Sequence, residues 1–189
     1  GGSTPGGGAQ SGAPRGSLVL LALALTLIGV GAEIPRDALD TLRRMPIQHL
    51  GRVKPFDSFA RETLDRLTGA PQFEKQDPVV TLLSIVAYHE RWQETPLIAV
   101  PFVPLREKLG LSPKRTHVSY SQVVSERKLM RMLPAIVEKQ GRDEKLTMLE
   151  NETMDVYDRF VTLNGLFQSD LHLVPPPEGV VWLSIRQPQ

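Results

Sequence analysis

Four imidazoles, at His49, His89, His117 and His172, are the side chains best suited to proton transfer or metal ligation near neutral pH. None pairs with another at the three- or four-residue spacing that sets two ligands on one helix face. His49 differs from the rest in its neighbours. The stretch from Met45 to Glu62, MPIQHLGRVKPFDSFARE, places a glycine-containing turn and two cations, Arg52 and Lys54, directly before a helix start. Backbone N–H groups at a helix N-terminus favour an anion, and nearby cations reinforce that preference. His49, Arg52 and Lys54 are therefore the candidate binding residues, with a carboxylate or a phosphate as the natural ligand. The plain alternative is a solvated turn in which Asp57 or Ser58 caps the helix. For the other histidines a structural role is the simpler reading: His89 near a helix end, His117 in a polar loop beside Lys114 and Arg115.

Other chemistries are excluded or unsupported. The chain has no cysteine, which removes disulfides, thiolate metal sites, thiol nucleophiles and covalent haem attachment through C-x-x-C-H. Glu150, Glu152, Asp155 and Asp158 resemble a carboxylate cluster, but they fall on the expected polar face of a long helix, where solvated charge is ordinary. No glycine-rich phosphate loop, G-x-S-x-G elbow or H-E-x-x-H motif occurs. An enzyme is therefore not expected in this stretch. The 22 basic and 21 acidic residues nearly cancel, and aromatics make up 6%. Nucleic acid, which calls for a basic excess and stacking platforms, is not an expected partner.

The elements that must position these residues begin after an apolar run. Residues 1–16 are rich in Gly, Ser, Pro and Ala and read as a flexible linker. Residues 17–33 contain SLVLLALALTLIGVGA, an uncharged stretch read as a transmembrane helix, slightly short of the usual span of about 20 residues. A signal-peptide core cleaved after Val30-Gly31-Ala32 is the competing reading, and Arg15 alone is a weak n-region for it. With a retained helix the lipid bilayer is a partner, and Arg43-Arg44 lie close enough to touch anionic lipid. The cations Arg36, Arg43, Arg44, Arg52 and Lys54 taken alone favour a cytoplasmic domain, although long domains translocate largely regardless of charge.

Residues 34–179 read as one mainly helical domain with at most a short strand or two. Helices are expected from Asp57 or Ser58 to Leu67 with Gly69 as a left-handed cap, and from the capping pair Asp77-Pro78 through Val86. Further helices are expected from Leu105 to Leu109 ending at Gly110, from Ser119 or Ser121 onward, and from Arg127 to Gln140. Pro134 should kink or interrupt the last of these. Leu97 to Val100, between Pro96 and Pro101, suits a short strand or an extended pass. The clearest helix runs from Glu144 to Phe167, with Leu146, Leu149, Thr153, Val156, Tyr157, Phe160 and Phe167 on one face. Pro175-Pro176-Pro177 reads as a rigid spacer, and residues 180–189 as the start of a following segment. With Gly1 at one end and an apolar run cut short at the other, the chain reads as a piece of a longer polypeptide.

The Pro46-to-Glu62 stretch resembles the extracytoplasmic domain of CcsA/ResC-type proteins of the system II cytochrome c assembly pathway, sometimes fused to a ResB/CcsB-type partner. The resemblance continues through Asp77-Pro78, Trp92, Pro96-Leu97-Ile98 and the run Leu105 to Leu111. It extends to Leu149-Glu150, Tyr157, Leu173-Val174-Pro175 and Trp182, and so covers most of residues 41–183. It implies a machine of the bacterial cytoplasmic membrane that presents haem to apocytochrome c, with this domain on the extracytoplasmic side. Apocytochrome c and a ResB/CcsB-type protein are the implied partners, and haem is the cofactor of the full-length protein. The tryptophan-rich loop and membrane histidines that handle haem in this family lie outside the stretch. The resemblance therefore assigns no haem ligand to His49, His89, His117 or His172; a propionate is one anion that Arg52 and Lys54 would suit. An extracytoplasmic sensor or ligand-binding module on one membrane tether is the alternative.

Overall fold

A helix that is apolar on every side has to be covered on every side, and Pro78–Ala87 is such a helix. In the computed structural model, which describes residues 33–49 and 51–168, Leu23, and the backbone of 172–174 and 183–184, it lies in the core. Eight helices are described: α1 (Arg36–Arg44), α2 (Phe56–Thr68), α3 (Pro78–Ala87), α4 (His89–Trp92), α5 (Val103–Leu109), α6 (Tyr120–Glu126), α7 (Lys128–Gly141) and α8 (Met148–Phe167). Buried side chains of α3 include Val79, Leu82, Leu83, Ile85 and Val86. Around it pack α2, α4 and α8. From α2 come Phe56, Phe59, Leu64 and Leu67, and from α8 Val156, Leu163 and Leu166.

Local signals fix where these helices start and stop. The Asp77 carboxylate accepts from the N–H groups of Val79 (2.9 Å) and Val80 (3.2 Å), with Pro78 pre-set in the first helical position. Its other oxygen accepts from Arg43 Nη2 at 2.6 Å, so one carboxylate both caps α3 and ties α1 to it. Ser119 and Gln122 form a capping box on α6, and Thr147 and Glu150 form another on α8. Gly69 (φ +77°) and Gly110 (φ +76°) end α2 and α5 in the left-handed conformation that glycine adopts without a steric cost.

Strands are more numerous than a short strand or two. Six are described: β1 (Pro46–His49), β2 (Arg52–Pro55), β3 (Ile98–Ala99), β4 (His117–Val118), β5 (His172–Val174) and β6 (Leu183–Ser184). They form a four-stranded antiparallel sheet in the order β2-β1-β5-β6 and a separate β3-β4 pair. The Pro46–Pro55 segment, expected as a turn, is a hairpin whose two-residue connection ends on Gly51 at φ +73°. Its strands are only four residues long and begin or end on proline, which obscures the alternation that would reveal them.

Two helix starts and one expected break also differ from expectation. α2 starts at Phe56 on Pro55 with no side-chain cap, and Asp57 accepts instead from Arg61 Nε at 2.8 Å. The long helix starts at Met148 rather than Glu144, because Thr147 supplies the capping box; Leu146 precedes it, half-buried. Pro134 does not interrupt α7, which runs through it with Leu129 and Ile136 anchored in the core. Among the described residues no helix is long and apolar enough to cross a membrane. The expected linker at 1–16, the proline spacer and nearly all of the apolar run at 17–33 lie outside the described residues.

Asp77→Ala removes a cap and an ion pair together and should lower unfolding stability by about 1–2 kcal/mol in urea. Asp77→Asn keeps a capping oxygen and should recover more than half of that loss. Equal losses in the two variants would show that the Arg43 pair, not the cap, is what matters.

Candidate functional site

The hairpin brings the three candidate binding residues onto one face. Register pairs His49 with Arg52 and Ile47 with Lys54, and side chains alternate along each strand. Ile47, His49, Arg52 and Lys54 therefore share a face, with Ile47 buried on it. That face is laid on α2. The His49 ring sits 4.9 Å from the Phe59 ring at a 60° tilt, and Lys54 Nζ forms an ion pair with Glu62. Met45 closes the base of the hairpin: its carbonyl accepts from the Phe56 N–H at 2.8 Å and its side chain is buried.

Electrostatics at this face favour a neutral imidazole. The His49 pKa lies below its ordinary 6.5, first because contact with the protein strips water from the ring, then because Lys54 and Arg66 repel a second positive charge. Glu62 acts in the opposite sense. The helix-terminus arrangement expected of Arg52 and Lys54 is not what forms. Both lie on β2, and Lys54 is already matched by a carboxylate. Arg52 is exposed, as are His49, Gly51 and Val53. Such a tip can offer an edge to an anionic group on a partner. Among the described residues it supplies no walls to enclose a macrocycle, so these residues do not fit haem as a resident group.

The other histidines go to different places. His117 lies on β4, where Nε2 is 2.9 Å from the Thr68 carbonyl and Nδ1 is 2.9 Å from Thr116 Oγ1. With the proton on Nε2, the ring donates to Thr68 and accepts from Thr116, and it ties β4 to the end of α2. His89 opens α4 with its ring 5.9 Å from Phe167. The His172 backbone pairs with Gln48 in the sheet. Among the described residues no three His, Asp or Glu side chains gather as a metal site.

The expected acidic face of α8 is also modified. The Glu150 side chain is only 17% exposed; it accepts from Lys139 Nζ at 2.6 Å and from the Thr147 N–H and hydroxyl at 2.8 Å each. These bonds, that from Lys139 foremost, hold its carboxyl at about 2. Arg159 is likewise not simply solvated: Nε donates to the Arg66 carbonyl at 2.9 Å and Nη1 to that of Ala99 at 3.4 Å.

One concavity was not anticipated from sequence. An open groove of about 430 Å³ is lined by Lys108 of α5, by Lys128, Arg131, Met132, Ala135 and Ile136 of α7, and by Leu149 and Glu150 of α8. The signal was present in α7, where these five residues fall at helical spacing on one side. It could not be completed without knowing that α5 and α8 flank that side.

No known family profile matches the chain. Over 65 residues it is 32% identical to Protein NrfI of Wolinella succinogenes, a match that covers 34% of this chain and 7% of that protein.

The His49 environment has a measurable consequence. A proton NMR titration should place the His49 midpoint below 6.5, with Lys54→Met raising it and Glu62→Gln lowering it further. Between that midpoint and 6.5 the unfolded chain binds more protons than the folded one. The contribution of His49 to stability is therefore complete above pH 6.5 and is lost as pH falls through the window. A midpoint at or above 6.5 would contradict the packing on Phe59.

Proposed function

We propose that this chain is an accessory domain of a membrane cytochrome c assembly protein. In this reading it lies on the extracytoplasmic side of a bacterial cytoplasmic membrane and positions apocytochrome c or a ResB/CcsB-type partner for haem delivery. The weak similarity to Protein NrfI hints at cytochrome c maturation. The finer assignment to a CcsA/ResC-type protein is supported by the resemblance running through residues 41–183, and the matched stretch is a small part of the relative's length. One observation carries the mechanical side of the proposal: the most distinctive stretch of the sequence folds as a hairpin braced on α2 with an exposed, basic tip.

The role assigned to the domain is positioning, not catalysis. Haem would be handled by membrane histidines elsewhere in the polypeptide. Within this domain Ile47 and Phe59 fix the hairpin to the core, Glu62 holds Lys54 in place, and Arg52 projects to meet an anionic group on the partner. Neutral His49 between the two cations keeps the tip from accumulating a third positive charge. The apolar run at 17–33 would tether the domain to the bilayer.

The test is a double substitution in the intact protein. Arg52→Ala with Lys54→Ala should leave the abundance of the protein unchanged and reduce the yield of haem-loaded c-type cytochrome several-fold. Glu62→Gln, which releases Lys54, should leave that yield near wild type. Unchanged cytochrome maturation in the double variant would rule out the hairpin as the working surface.

A further inference from the structure

We propose that the groove between α5, α7 and α8 binds a small amphipathic anion, an apolar chain ending in a carboxylate. The proposal stands independently of the cytochrome assembly role and rests on how charge is distributed along the groove.

The cations are gathered at one end. Lys128 and Arg131 occupy the first turn of α7, and Lys108 lies in the last turn of α5. Lys128 is held there: Nζ donates to the Leu109 carbonyl at 2.8 Å and pairs with Glu126 at 3.1 Å. It crosses directly over Gly110, where a Cβ would meet Nζ at 2.6 Å. Among the described residues no ion pair neutralises Lys108 or Arg131, and both are exposed. This end of the groove therefore carries two uncompensated positive charges.

Further along α7 the lining turns apolar. Met132, Ala135 and Ile136 come next, with Leu149 facing them from α8. Glu150, the remaining charged residue of the lining, is satisfied by Lys139 and Thr147. Because the Glu150 carboxyl is fully occupied by donors, it does not compete for Lys108 or Arg131.

A charged head followed by an apolar floor suits a ligand with a carboxylate at one end and hydrocarbon behind it. An acidic amphipathic helix from a partner would need cations spaced along the whole groove, and here they stop after one turn of α7. The volume of about 430 Å³ falls within the range of small-molecule sites, roughly 300–1,000 Å³.

The probe is monomeric dodecanoate, followed by the methyl NMR signals of the five methionines of the full chain. The Met132 methyl should shift saturably. Dodecyl maltoside, with the same chain and a neutral head, should bind at least about tenfold more weakly, a difference of about 1.4 kcal/mol. Lys108→Glu with Arg131→Glu should weaken dodecanoate by a similar factor, and Lys114→Glu should leave it unchanged. Both reversals are at exposed positions, and the wild-type comparison of the two probes needs no variant. The proposal is overturned if Met132 does not respond, if the two heads bind equally, or if the reversals have no effect. It is also overturned if an acidic amphipathic peptide shifts Met132 and dodecanoate does not.

Discussion

Covering α3 is the constraint from which the arrangement of the other helices follows. Its side chains are buried on opposite sides of the axis, so no single neighbour could shield them. Each large aliphatic side chain withdrawn from water contributes about 1.5–3 kcal/mol, and the helix carries five of them. α2 and α8 supply the broad surfaces, and α4 completes the cover. The β1–β2 hairpin then inherits its position from α2, since Ile47, Met45 and Phe56 are buried together with that helix.

Polar contacts refine this packing by joining elements far apart in sequence. Asp77 shares its two oxygens between the start of α3 and Arg43 of α1. His117 reaches from β4 to the last turn of α2, and Arg159 reaches from α8 to carbonyls of both α2 and β3. Arg106 is buried and clamps the carbonyls of Pro113 and Pro101, two loops that flank α5. In the last three cases a charged or aromatic nitrogen satisfies a backbone carbonyl, which is the ordinary requirement for burying backbone.

Features set by a few neighbouring residues were legible in the sequence, and features set by pairing across distance were not. Asp77-Pro78, Gly69, Gly110 and Ser119 mark boundaries through local stereochemistry, and each stands where its chemistry predicts. The bracketing prolines marked Leu97 to Val100 as extended, and pairing with β4 is what makes Ile98–Ala99 a strand. The hairpin was hidden because four-residue strands with proline at their ends show no period, and its pairing with residues 172–174 joins positions over 120 apart. For the site, His49, Arg52 and Lys54 were identifiable as neighbours. Their common face and the ion pair to Glu62 depend on register and on where α2 runs. The groove needed three elements to be placed before it existed at all. Glu150 shows the same limit in reverse: helical periodicity assigned it to water, and the Lys139 contact, eleven positions away, took it back.

The position of β2 at the outside of its sheet carries one more implication. An outer strand presents an unpaired row of backbone donors and acceptors, a template on which other chains can stack. Here that row is four residues long, ends on Pro55, which has no N–H to offer, and is flanked by two positive side chains. The exposed charge that makes Arg52 conspicuous as a binding residue also repels a second copy of the same strand. A substitution that made this strand neutral and lengthened it past Pro55 would expose Val53, already turned outward, within an adhesive edge. The hairpin is thus protected from self-association by the same charge that makes it a contact surface.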